Sequence, residues 1–121
     1  MTEAAHVADR YIAVWNETDS ARRMALLAEG WSDDATYVDP QVAGKGHNEI
    51  AALIGAVHER FPTFRFALDG RPDGYAGNIR FSWVFGPEAE PDMIKGTDFA
   101  VIEGDRLKSI TGFLDKIPSV G

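Results

Sequence analysis

The sequence predicts an α+β domain: a curved antiparallel sheet covered by three helices from the first half of the chain, enclosing a small, mostly apolar pocket. Three observations lead there. Apolar residues recur at three- and four-residue spacing through the first half. They alternate with polar residues through the second half. Short turns rich in Gly, Pro and Asp separate the alternating stretches. Helices first, then consecutive strands on short connections, give an α+β domain with a meander sheet.

The elements follow in order. Ala4, Val7, Ala8, Tyr11, Ile12 and Trp15 form one stripe of an amphipathic helix, broken at Asn16-Glu17-Thr18-Asp19. Asp19 or Thr18 caps a second helix with Met24 and Leu27 on its apolar face, and Gly30 stops it. Ala35-Thr36-Tyr37-Val38 is a short strand ended by Asp39-Pro40, because proline biases the residue before it away from helix. After the loop Gly44-Lys45-Gly46, Asn48 or His47 opens a third helix with Ile50, Leu53, Ile54, Val57 and Phe61 on one face, ended by Pro62. Phe64 to Leu68 alternates as a strand, punctuated by Asp69-Gly70 and Pro72-Asp73-Gly74. Ile79, Phe81, Trp83 and Phe85 are the inward residues of the next strand. Asp92 to Ile102 and Leu107 to Lys116 are the last two, joined by the tight turn Glu103-Gly104-Asp105.

Composition excludes several classes of function. The 121 residues make one domain, 1–121, and a hydrophobic content of 45% supports a core without disulfides or metal. The net charge of -7 disfavours nucleic acid and anionic membrane, and Arg22-Arg23 is the only adjacent basic pair. No cysteine is present, which removes disulfides, Cys-liganded zinc and thiol catalysis, and suits a reducing cytoplasm. The opening Met1-Thr2-Glu3-Ala4 has no apolar signal core, and no apolar run is long enough to span a bilayer. The expected location is the cytoplasm. The scattered His6, His47 and His58 do not make a metal spacing, with His6 and His58 expected at the surface. No glycine-rich phosphate loop is present, so neither metal nor cofactor is expected.

A curved sheet this rich in large apolar side chains leaves a cavity where its helices do not fill it. Candidate lining residues are Trp15, Trp31, Phe61, Phe64, Phe66, Phe81, Trp83 and Phe85, with Tyr11 beside them. Aromatic residues also dominate ordinary cores, so each has packing as its simpler explanation. Alternation puts Ile94, Gly96, Asp98 and Ala100 on one strand face. A carboxyl among such neighbours is costly to bury without a partner.

The order of elements resembles the nuclear transport factor 2-like (NTF2-like, cystatin-like) superfamily, and within it the SnoaL-like proteins. Its carriers are Trp31-Ser32-Asp33-Asp34-Ala35-Thr36-Tyr37-Val38-Asp39-Pro40, Gly46-His47-Asn48-Glu49-Ile50, Gly96-Thr97-Asp98-Phe99, Gly104-Asp105-Arg106-Leu107 and Gly112-Phe113-Leu114-Asp115. The resemblance implies an α-helix-covered cone and a homodimer paired through the outer sheet face. It also implies activities such as ketosteroid isomerisation or polyketide ring closure. Arg10-Tyr11-Ile12, Asp33-Asp34-Ala35-Thr36 with Asp39-Pro40, and Asp98 are similar to the ketosteroid isomerase pattern of a tyrosine, a basic aspartate and a second aspartate. Where those isomerases back their tyrosine with further tyrosines, Trp31 and Ile54 stand here.

The chemistry implied is enolisation beside a carbonyl, with Asp39 as base and Tyr11 and a protonated Asp98 as oxyanion donors. Asp39 before Pro40 is also a common turn residue, and Tyr11 lies on a packing stripe. Three readings stay open: a cofactor-independent proton-transfer isomerase or cyclase acting on a small apolar carbonyl compound, a module that binds a small apolar ligand without turnover, and a dimeric interaction domain.

Overall fold

A computed structural model describes residues 3–118. The Met1-Thr2 opening and the last three residues of the expected 1–121 domain lie outside the described residues. The elements are α1 (Ala4–Asn16), α2 (Ser20–Gly30), β1 (Trp31–Val38), β2 (Ala43–Lys45), α3 (Gly46–Arg60), β3 (Arg65–Tyr75), β4 (Asn78–Gly86), β5 (Ile94–Glu103) and β6 (Arg106–Lys116). The strands form one sheet in the order β2-β1-β6-β5-β4-β3. The α+β fold class and the helix-covered curved sheet are as expected. One pairing differs: β1 runs parallel to β6, so the sheet is mixed rather than wholly antiparallel. A helix and four strands separate the two, ample chain for the crossover a parallel pair needs.

Local chemistry explains the boundaries. Asp19 caps α2 by accepting from the Arg22 backbone N–H at 2.9 Å. Gly30 is the last residue of α2, and β1 begins directly at Trp31, four residues before the expected start. Strand β3 runs through Asp69-Gly70 instead of ending there. Its register against β4 shifts between Asp69 and Asp73, an irregularity that adds twist without breaking the strand. The turn comes later, at Ala76-Gly77, where φ is 52° and 78°, the positive pair that a tight two-residue hairpin uses.

Helix α1 packs on β3, α3 on β1, and α2 on α3 and β1. Between helices and sheet lie Tyr11, Trp15, Leu27, Trp31, Ile54 and the inward residues of β4, all buried. Asn16 clamps the end of α1 to β3 by exchanging two hydrogen bonds with the Phe66 backbone, at 2.8 and 2.9 Å. No helix among the described residues is long and apolar enough to cross a membrane.

Two glycines make room on the inner face. At Gly96 an added Cβ would lie 2.2 Å from the Trp83 ring. At Gly112 it would lie 2.9 Å from Asp98 Oδ1. Gly96→Ala must therefore displace the Trp83 indole. The expected loss is about 1–3 kcal/mol, the usual range for overpacking, read by urea denaturation. Unchanged stability would mean that the indole does not need this space.

Candidate active site

The site is built outward from Asp98. Alternation along β5 turns Gly96, Asp98 and Ala100 inward, and Asp98 is 1% exposed. Across the sheet it faces Phe81 of β4 and Gly112 of β6. Tyr11, on the buried stripe of α1, donates its phenolic hydrogen to Asp98 Oδ2 at 2.5 Å. The Trp83 indole donates to Asp98 Oδ1 at 3.2 Å. Burial pushes the Asp98 carboxyl up to about 6. The Tyr11 and Trp83 hydrogen bonds pull the other way, and the charges of Asp39 and Asp115 add to the rise. Burial, then the Asp98 charge, holds the Tyr11 phenol well above its ordinary value, so it stays a donor.

Asp39 follows the end of β1 and is half-buried. Its Oδ1 accepts the backbone N–H groups of Gln41 and Val42 at 2.8 and 3.0 Å, the side-chain turn that Asp-Pro favours. Its Oδ2 accepts from the Tyr37 hydroxyl at 2.7 Å. Tyr37 is the residue that the sequence reading missed. Its phenol is pushed up by burial, by the Asp98 charge and by the bond to Asp39, and it also interacts with the Tyr11 hydroxyl. The position of an added Gly112 Cβ would lie within 3.6 Å of Asp98 Oδ1, Asp39 Cβ and the Tyr37 hydroxyl. Trp31 and Ile54 are buried apolar neighbours, and the phenol nearest the pair is Tyr37 of β1, whose hydroxyl donates to Asp39. Strand alternation carried the signal: Ala35, Tyr37 and Asp39 share one face.

The expected lining residues form a continuous run of rings. Tyr11 stacks on Trp31, with centroids 5.7 Å apart, and meets Phe81 edge-on at 4.8 Å. Trp15 touches Tyr37 and Phe66, each at 5.4 Å. Phe66 stacks on Phe85 at 3.9 Å and meets Trp83 at 5.3 Å. Phe61 and Phe64 pack on Phe85. These rings occupy the interior around Asp98. Two clefts of about 430 and 380 Å³ lie elsewhere. One is lined by Asn16, His58, Phe61, Phe64 and Arg65; the other lies on the outer sheet face by Tyr75, Arg80, Phe99 and Thr111.

The remaining candidates have structural partners. Asp33 and Asp34 pair with Arg106 and Lys108 at the surface. Arg80 points outward to Asp73. His47 Nε2 lies 3.0 and 2.9 Å from the Trp31 and Ser32 carbonyls. His58, expected at the surface, is half-buried and bridges Arg23 and the Trp15 carbonyl. No group of three His, Asp or Glu among the described residues is placed to hold a metal.

The chain matches the family model of the SnoaL-like domain over residues 8–110. A search of curated proteins finds no match. Among solved structures, a SnoaL-like family protein from Agrobacterium tumefaciens strain C58, proposed to be an isomerase, is 40% identical. It has a TM-score of 0.90, with 95% of this chain and 99% of that one covered. A protein from Kribbella flavida proposed to be a ketosteroid isomerase gives 0.70 at 15% identity over 98% and 82% of the two chains. A protein of ketosteroid isomerase-like fold from Catenulispora acidiphila, bound to trimethylamine, gives 0.72 at 14% identity over 88% and 82%. These last two are similar in fold alone. With a family match reaching from the first helix into the last strand, this chain belongs to the SnoaL-like domain family.

Proposed function

We propose that this protein is a cofactor-independent proton-transfer catalyst of the isomerase or cyclase type, acting on a small, largely apolar carbonyl compound. One observation supports this reading above the rest. A buried carboxyl, Asp98, is bonded to a phenol, Tyr11, and a second carboxyl, Asp39, is brought to the same point over Gly112. In the proposed step, the Asp39 carboxylate takes a proton from the carbon beside the carbonyl. The C–H electron pair becomes the enol double bond, and the carbonyl oxygen takes the negative charge. Tyr11 and protonated Asp98 donate to that oxygen, and Asp39 returns the proton to a different carbon. A neutral Asp98 accepts the Tyr11 hydrogen less strongly, which frees both O–H groups for the ligand. The aromatic lining, with few polar groups beside Tyr11, Tyr37, Asp39 and Asp98, suits a second reading, a module that binds a small apolar ligand without turnover.

The two readings separate on Asp39→Asn. Asparagine keeps the side-chain turn and the partner of Tyr37. Isomerisation of 3-cyclohexenone to its conjugated isomer, followed by ultraviolet absorbance, should fall at least about 100-fold, while the unfolding midpoint stays near wild type. Equal turnover in the variant would remove Asp39 as the base; no turnover in the wild type would favour the binding module.

The proton on Asp98 has a consequence independent of any substrate. Native Asp98 holds its proton up to about pH 6, whereas an unfolded aspartate releases it near pH 4. Its contribution to stability is therefore complete below about pH 4 and is lost as pH rises through about 6. The amount is on the order of 2–3 kcal/mol. Relative to Asp98→Asn, the wild type should lose that much between pH 4 and pH 7 in chemical denaturation. Parallel curves for the two proteins would contradict a raised Asp98.

The same reading includes a homodimer in the cytoplasm, where a cysteine-free chain is at home. The outer sheet face carries Phe99, Val101 and Phe113, each at least 42% exposed, with the two phenylalanine rings 5.8 Å apart. Solvent-facing strand positions are ordinarily polar. A two-fold axis through this patch lets one copy cover the other. Phe99→Asp with Phe113→Asp should shift sedimentation from dimer to monomer; a wild type that sediments as a monomer would overturn the pairing.

A further inference from the structure

Among the described residues, two buried side-chain nitrogens have no hydrogen-bond partner, Trp15 Nε1 and Arg106 Nε. The arginine is otherwise satisfied, since its guanidinium donates to the Ala28 carbonyl and to Asp33. Trp15 is different. It is 4% exposed, and its indole N–H is its one polar side-chain group. Burying such a donor unpaired costs about 1–3 kcal/mol, a penalty that a phenylalanine in the same place would avoid.

The position of this donor gives it meaning. Trp15 follows Tyr11 by one helical turn, so both side chains leave the same face of α1. Its indole packs against Tyr37 and Phe66, and its ring centroid lies 6.1 Å from that of Tyr11. Its carbonyl is held by His58 Nε2 at 2.6 Å, which fixes the backbone from which the indole projects. Of the other two indoles on this interior, Trp83 already gives its hydrogen to Asp98 and Trp31 stacks on the Tyr11 ring. Trp15 Nε1 is thus a buried, unused donor near the Tyr11–Asp98 pair, walled by aromatic rings.

We propose that Trp15 is a specificity-determining residue, and that the ligand is a compact ring compound carrying two oxygen functions. One oxygen is taken by Tyr11 and Asp98; the other accepts from Trp15 Nε1. This inference rests on the reading of Tyr11 and Asp98 as the oxygen-binding pair. A ligand with a single oxygen leaves the indole unpaired and forgoes that bond. A ligand with two satisfies it while lying among the rings of Tyr37 and Phe66.

The probes are 2-naphthol, with one oxygen, and the 1,5-, 2,6- and 2,7-dihydroxynaphthalenes, with two at different separations. Calorimetry on the full chain compares wild type, Trp15→Phe and Tyr11→Phe. In the wild type at least one diol should bind about fivefold or more tighter than 2-naphthol, the scale of one net hydrogen bond. Trp15→Phe should erase that advantage, weakening the preferred diol about fivefold more than 2-naphthol. Tyr11→Phe should weaken both probes. The Trp15 indole proton resonance of the wild type should move downfield with the preferred diol and much less with 2-naphthol. A diol preference that survives in Trp15→Phe, or an indole resonance that the diol leaves in place, overturns the role of Trp15 alone. Equal binding by Tyr11→Phe, or no binding of any probe to the wild type, overturns the oxygen-binding pair and this inference with it.

Discussion

Asp98 is a carboxyl held almost without solvent contact among aromatic rings, and much of the surrounding structure meets the demands this makes. An ionised carboxylate taken out of water without partners is several kcal/mol unfavourable, so it must be bonded or neutral. Here it is partly both. A phenol from α1 and an indole from β4 each take one oxygen, while burial favours the proton. Each donor then imposes a requirement of its own. Trp83 can lie over β5 only because Gly96 has no side chain there. Tyr11 reaches across because α1 is tied to β3 through Asn16 and to α3 through His58.

The interior holds two kinds of order at once. Rings packed edge to face and face to face bury a large apolar area, and this part of the cone would be stable without a polar atom. The polar groups sit along one side of it. Asp39 is its half-buried member and lies nearer solvent than Tyr37 or Asp98, which are 5% and 1% exposed. Phe61, Phe64 and Phe66 are likewise only partly buried, whereas the deeper Phe81 and Trp31 are enclosed.

The fold was legible because periodicity and burial agree. The stripe Val7, Ala8, Tyr11 and Trp15 is buried as its spacing predicts, and so are Ile79, Phe81, Trp83 and Phe85. The parallel β1–β6 pair was not legible. Pairing partners distant in sequence leave no local mark, and a strand reads the same in either direction. The long β3 was hidden because Gly70, at φ +81°, looks like a turn residue although it lies within the strand. For the candidate site, the inward direction of Asp98 followed from its strand neighbours. Tyr37 carries no local mark of a role: on a strand its ring reads as packing, and only the fold brings its hydroxyl to Asp39. The contacts among the rings were not legible either, since composition counts rings without saying whether they touch.

Two carboxyls in one site take different roles when their surroundings differ. Asp39 is wrapped by donors, two of them backbone N–H groups fixed by a proline turn, and it lies toward solvent. Asp98 has no backbone donor and almost no solvent, and burial favours its neutral form against the pull of the Tyr11 and Trp83 hydrogen bonds. Part of that preference comes from the negative charge of Asp39. In the proposed step, Asp39 loses its charge as it takes the proton, which would weaken Asp98's hold on its own. The same step puts an equal charge on the ligand oxygen beside Asp98. The negative charge that Asp98 feels is thus moved closer rather than removed. Its proton stays in place through the transfer, and its hydrogen bond strengthens as the charge arrives.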